Sequence, residues 1–164
     1  INLKGMYAGE ATILSVKKDV QSLALAINDV VDAYNALIDN INTALMTKSD
    51  LQNDSELKRL RNQIKSIMTG TIKNSSIFKN IVAIGIVTNT ADPTNLTVGS
   101  GIYKLSLDYE KFAKAFETDS ESVRTLLIGR VDSDGNLIEE GILTRLEALI
   151  DEAVDSAGGY FERT

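Results

Sequence analysis

Neither cysteine nor histidine occurs anywhere in this chain. Their absence removes the thiolate nucleophile, the imidazole base, any disulfide framework and the two side chains that build most zinc and copper sites. Missing cysteine does not fix the compartment, because a chain of 164 residues can bury a core that needs no disulfide. Tryptophan is also absent, and four Phe and five Tyr are the whole aromatic complement. The core must therefore be aliphatic, which suits helical layers better than an aromatic-rich sandwich. The single proline, Pro93, lies in a polar stretch. Basic residues are outnumbered, for a net charge of -6. Binding to a nucleic-acid backbone needs a concentrated cationic surplus, so it is not expected here. No apolar run approaches the ~18 to 20 residues that span a bilayer, and no membrane partner is expected. The chain begins Ile1-Asn2-Leu3-Lys4 rather than with Met and ends at Arg163-Thr164 after an apparent turn. It reads as a fragment.

What is present is a long helical stripe. Val20, Leu23, Ile27, Val30, Tyr34, Leu37 and Ile41 recur at alternating steps of three and four, the spacing of a helix-helix seam. Val31, Ile38 and Leu45 widen it toward a second neighbour. The helix is predicted from about Asp19 to Thr47, with Asp29, Asp32 and Asp39 along its solvent side. A second helix starts at the N-cap Asp54, turns Leu57, Leu60, Ile64, Ile67 and Met68 inward, and stops at Gly70. The short connection predicts that it folds back beside the first as a helical hairpin. Its Lys58, Arg61 and Lys65 share one side and are read as a polar face, turned toward the aspartates of the first helix or toward another subunit.

Around this pair the pattern is mixed. Ile1, Leu3, Ala11, Ile13 and Ser15 to Val16 read as two short strands. Ile81 to Thr88 is β-rich, and Tyr103, Leu105 and Leu107 alternate with polar residues, which predicts a hairpin joined by a long loop. Asp108 caps a short helix through Phe112 and Phe116, and Asp119 caps another through Val123, Leu126 and Leu127. Asp134-Gly135, between Val131 and Leu137, marks a small turn or hairpin. A last helix runs from Gly141 to about Ala157, with Ile142, Leu146, Leu149 and Ala153 inward. The expected fold is α+β and mainly helical: a long antiparallel helical hairpin or bundle with a β-hairpin and short helices.

Candidate chemistry is thin. Asp132-Ser-Asp134-Gly-Asn136 starts like a calcium loop, but the glycine required at the sixth position is Leu137, so a plain turn is expected. Glu139-Glu140 and Asp151-Glu152-Asp155 are the densest carboxylate groups. Neighbours on a helix point apart, and the second group lies off the apolar stripe, as a solvated face does. Lys58-Arg59-Leu60-Arg61 with Lys65 is the only basic cluster, and no aromatics interleave it. Hydroxyl activation lacks its usual base, and Gly99-Ser-Gly101 is no phosphate loop. Asn53-Asp-Ser55, Asn74-Ser-Ser76 and Asn95-Leu-Thr97 match a glycosylation sequon by chance. No catalytic residue, cofactor site or metal site is assigned.

Several segments nonetheless resemble one family in content and in order. They are Val31-Asp-Ala-Tyr-Asn-Ala-Leu-Ile-Asp-Asn-Ile41, Asp54-Ser-Glu-Leu-Lys-Arg-Leu-Arg-Asn-Gln-Ile64, and Ile84-Gly-Ile86 leading to Leu105-Ser-Leu-Asp108. Lys111 to Asp119, Glu121 to Leu127, and Gly141 to Leu146 continuing through Gly158 to Thr164 follow. Together they look like the C-terminal region of the bacterial flagellar filament capping protein, hook-associated protein 2. The likeness spans about residues 17 to 164, and the loop from Asn89 to Gly101 is longer than the family's brief turn.

The resemblance implies a helical leg-type domain at 17–164, preceded at 1–16 by the trailing strands of a head domain. It implies an N-terminal helical segment elsewhere in the protein that completes the leg, and a C-terminal coiled coil beyond Thr164. It also implies a homo-oligomeric cap at the filament tip, outside the cell, that holds exported flagellin and guides its insertion, with no catalytic residue. The structure-bearing residues are then the seam Leu23, Ile27, Val30, Tyr34, Leu37 and Ile41 against Leu57, Leu60, Ile64 and Ile67. The alternative is an extracellular adhesion module for host glycans or mucin, with its contacts in a head domain or in the loop from Asn89 to Gly101. An enzyme would require a cleft with carboxylates of shifted pKa.

Overall fold

The computed structural model describes residues 20–46, 51–88 and 104–155. The strands expected in 1–16 and the loop from Asn89 to Gly101 lie outside the described residues. Helix α1 runs Val20–Ala44 and α2 Ser55–Thr69. Strands β1 (Ile86–Thr88) and β2 (Leu105–Leu107) follow, then α3 (Tyr109–Ile128), β3 (Gly129–Val131), β4 (Leu137–Glu140) and α4 (Ile142–Asp155). The result is mainly helical α+β, with two antiparallel two-stranded sheets among the described residues, β1-β2 and β3-β4.

Local chemistry sets the boundaries. Asp54 caps α2, its Oδ1 accepting from Leu57 N at 2.7 Å, and Asp108 caps α3 by accepting from Lys111 N at 3.0 Å. Asp119 departs from helical geometry inside α3 (φ -158, ψ 90), and its Oδ1 accepts from Ser122 N at 3.0 Å. The continuous α3 is therefore two helices joined at an internal cap, as the position of Asp119 predicts. Gly70 ends α2 in an extended rather than a left-handed conformation, and glycine is required there because a Cβ would sit 2.5 Å from Ser66 O.

The segment expected as strand from Ile81 begins differently. Ile81–Ile84 is a 3-10 turn, because Asn80 caps it by accepting from Ala83 N at 3.0 Å. Gly85 closes the turn at φ +91, and only then does the chain extend into β1. Its apolar residues still go inward: Ile81, Ile84 and Ile86 are all buried.

A continuous core joins all four helices and β1-β2. α1 lies on β2 and α3, while α2 packs mainly on α4 and touches α1 more lightly. The face that α1 buries is turned from the predicted stripe. Ala24, Ile27, Val31, Tyr34, Ile38 and Ile41 are buried, whereas Leu23, Val30 and Leu37 are half-buried. Two neighbours on different sides of the helix draw it toward Val31 and Ile38, at 2% and 1% exposure. On α2, Leu57, Leu60, Ile64 and Met68 are buried and Ile67 is half-buried.

Candidate assembly surfaces

Polar side chains on the edge of this core fix the elements relative to one another. Val31, Asn35, Ile38 and Asn42 follow one another on α1 at steps of four, three and four. Asn35 clasps Leu105 of β2, and Asn42 Oδ1 accepts from Arg61 Nη1 at 2.9 Å. Arg61 thus meets an asparagine of α1 rather than its aspartates. Lys58 Nζ donates to Asn53 Oδ1 at 3.0 Å, Asp39 pairs with Lys104 at 2.7 Å, and Asp32 accepts from Asn28 at 3.2 Å. Lys58, Arg61 and Lys65 all sit half-buried on α2. Asn35 and Asn42 escape a reading based on apolar spacing alone. The signal was there, since a polar residue in register with a core stripe needs a partner.

A second polar joint ties residues 72–80 to α3 and the β3-β4 hairpin. Ser76, 1% exposed, donates its hydroxyl to Ser122 O at 2.7 Å, and Ser122 Oγ accepts from Ile77 N at 3.1 Å. Asn74 Nδ2 donates to Thr125 O at 2.9 Å and to Glu140 O at 3.2 Å. That amide is committed to the fold, so the sequon at Asn74 is structural. Glu139 accepts from Ser75 N at 3.2 Å and from Ser75 Oγ at 2.5 Å. These bonds to Ser75, with Arg130 and Lys79 nearby, hold its carboxyl below the usual carboxylate range.

Among the described residues, the carboxylates of the hairpin turn and of α4 are occupied locally or face solvent. Asp132 Oδ1 accepts from Asp134 N at 2.9 Å and Asn136 N at 2.8 Å. Its carboxyl is held low, first by the Asn136 side chain. The calcium-like stretch is thus a hairpin turn closed on its own carboxylate, with Gly135 at φ +86. Glu140 pairs with Arg145 at 2.8 Å. Asp151 and Glu152 are exposed on α4.

One concavity among the described residues is apolar. A groove of about 460 Å³ opens between α1, α3 and α4, lined by Leu23, Ile27, Phe116, Val123, Leu127 and Leu143, with Glu121 and Arg124 among its polar lining residues. Among the described residues its surface is mostly apolar, and its one acid and one cation, Glu121 and Arg124, pair with each other at 3.5 Å. Such a groove accepts an amphipathic helix or another apolar segment more readily than a polar metabolite. No helix among the described residues is long and apolar enough to cross a membrane.

Comparison with known proteins gives one consistent result. The family model described as "Flagellar hook-associated protein 2 C-terminus" matches residues 1–164. The flagellar hook-associated protein 2 of Escherichia coli K12 is 32% identical over 68% of this chain and 24% of its own length. That of Salmonella typhimurium LT2 is 30% identical over 90% of this chain and 32% of its own length. A crystal structure of the D1-D2-D3 domains of the flagellar cap protein FliD from Escherichia coli is similar to this fold with a TM-score of 0.66 and 30% identity. It covers 83% of this chain, and the chain covers 33% of it. The chain therefore spans about a quarter to a third of the length of these curated relatives.

Proposed function

This chain belongs to the flagellar hook-associated protein 2 family, and we propose that it forms part of an oligomeric cap at the flagellar filament tip that retains exported flagellin and promotes its polymerisation. The observation that carries this reading is the family match over residues 1–164, joined to a similar fold in a solved flagellar cap protein. The work is mechanical: packed helices hold surfaces in place, other copies of the chain and flagellin are its partners, and the site of action is extracellular.

In this reading residues 17–164 are a leg-type helical domain and 1–16 are the trailing strands of a head domain. The groove between α1, α3 and α4 supports the first assignment. Leu23, Phe116 and Leu143 are only partly buried around it, and a helical segment from the rest of the protein completes their burial. The seam Leu23, Ile27, Val30, Tyr34, Leu37 and Ile41 then serves two neighbours, the core on one side and that segment on the other.

The test is the partition of flagellin between filaments and medium in cells whose gene lacks the coding region for this chain. Flagellin lost to the medium, with filaments short or absent, is the expected result. Filaments of normal length and number would remove the cap reading.

A further inference from the structure

We propose that residues 11–18, the stretch that leads into α1, seat on an apolar shelf made by Leu25, Leu107 and Tyr109, so that the helical domain meets the chain before it through a packed joint rather than a free tether. The inference goes beyond the cap reading and holds whether or not the chain works at a filament tip. The observation is a second concavity, of about 420 Å³, lined by Gln21, Ala24, Leu25, Asn28, Leu107 and Tyr109. It lies beside the first turns of α1, where positions 21, 24, 25 and 28 share one face. Leu25 is 63% exposed and Tyr109 48%, whereas every other large apolar residue of α1 is buried or half-buried. Leu107 is partly buried against the core. A single exposed apolar side chain is ordinary, but several lining one concavity form a contact surface.

Chain continuity names the occupant. Val16 precedes Val20 by at most about 14 Å of extended chain, and Leu25 stands only about 7.5 Å along α1 from Val20. Apolar side chains just upstream of α1 are therefore held beside the shelf at a high effective concentration. Such side chains are present: Ile13, Leu14 and Val16 lie close together, and Lys17 and Lys18 come next. The rim carries the opposite sign, with Asp29 on α1 and Glu110 on α3 both exposed, and no Lys or Arg among the described residues lines the shelf. A second copy in a two-fold contact would set this anionic rim against itself, whereas the upstream segment brings two cations to it. A segment seated there sets the direction in which the strands expected at 1–16 leave the helices.

The experiment uses the full-length protein and reads side-chain accessibility by hydroxyl-radical footprinting, together with the rate of trypsin cleavage after Lys17 and Lys18. Each oxidation rate is taken relative to that of the same residue in the denatured chain. In the native protein Leu25 and Tyr109 are expected to react several-fold more slowly than Ile77 and Val82, which are 60% and 44% exposed. Leu25→Asp with Tyr109→Ser, both at open positions, is expected to keep the native circular dichroism. It is expected to speed cleavage after Lys17 and Lys18 by roughly tenfold or more, because proteolysis follows the population of the unseated segment. Ile13→Asp with Val16→Asp, a change on the other side of the contact, is expected to bring Leu25 and Tyr109 up to the reactivity of Ile77 and Val82. Native Leu25 and Tyr109 as reactive as those two residues overturn the proposal, and so does cleavage that the shelf variant leaves unchanged. Protection that survives the Ile13 and Val16 changes also overturns it: if that protection fades on dilution the shelf belongs to a second copy, and if it does not, to another part of the protein. None of these outcomes bears on the partition of flagellin, so the joint and the cap reading fail separately.

Discussion

Asn35 of α1 holds Leu105 of β2 by both backbone groups: its Nδ2 donates to Leu105 O at 2.9 Å, and its Oδ1 accepts from Leu105 N at 2.8 Å. Leu105 itself is buried at 2% exposure. One side chain therefore does for β2 what a further strand would do, satisfying an edge that the two-stranded sheet leaves open. Asn35→Ala leaves a donor and an acceptor unpaired beside the core and is expected to cost about 2 to 3 kcal/mol. The checks are the urea midpoint and the hydrogen exchange of the Leu105 amide. Exchange at Leu105 as slow in the variant as in the native protein would remove the clasp from the account.

Gly85 is a second joint. It adopts φ +91 at the end of the 3-10 turn, and a Cβ there would lie 2.7 Å from Asp108 O and 2.8 Å from Phe112 N. Its own carbonyl accepts from Asp108 N at 2.8 Å. Gly85→Ala thus carries both a left-handed backbone penalty and a backbone collision at the start of α3. A loss of about 2 kcal/mol or more is expected. A thermal midpoint within a degree or two of the native one would contradict this.

How much of this was readable in advance depended on whether the determining chemistry was local. Asp54, Asp108 and Asp119 act on amides three residues away, so their caps are legible from spacing. Asp134-Gly135 marks its turn for the same reason. At Ile81–Ile84 the apolar residues satisfy a strand pattern as well as a buried 3-10 turn, and the cap that decides between them is Asn80. The direction that α1 faces was only half legible. Its stripe is wide enough to serve two neighbours, and which residues go deepest is set by β2 and α3, distant in the chain. The Asn74 and Ser76 contacts to α3 span 51 and 46 residues, so no local pattern announces them.

Burial separates two residues of the predicted seam. Ile64 is 1% exposed on α2, whereas Leu37 is half-buried on α1. Ile64→Asp places an unpaired carboxylate in the core and is expected to cost ~4 kcal/mol or more, enough to abolish cooperative unfolding of this region. Leu37→Asp, able to turn toward water, is expected to cost about half as much. Circular dichroism melts of the two variants decide the order. Equal losses would mean that the outer side of α1 is as deeply covered in the whole protein as the inner side.

Tyr34 combines a buried ring with a hydroxyl that finds no hydrogen-bond partner among the described residues. Burial pushes its pKa up to about 12, against about 10 in an unfolded chain. The folded form therefore keeps its proton after the unfolded form has lost it. The associated stability is complete below pH ~10 and drains as pH rises through the folded value, by about 1.4 kcal/mol per unit and ~2 to 3 kcal/mol in all. Tyr34→Phe removes both the titration and the unpaired hydroxyl, so at neutral pH the variant is expected to match or exceed the native stability by up to ~1 kcal/mol. Denaturant titrations of both proteins at steps between pH 8 and 12 test this, because the lysines, common to both, cancel in the difference. A gap that widens in favour of Phe above pH ~10 is the expected result. Parallel curves would mean that the hydroxyl is hydrated or bonded in the folded protein, and that its burial carries no cost.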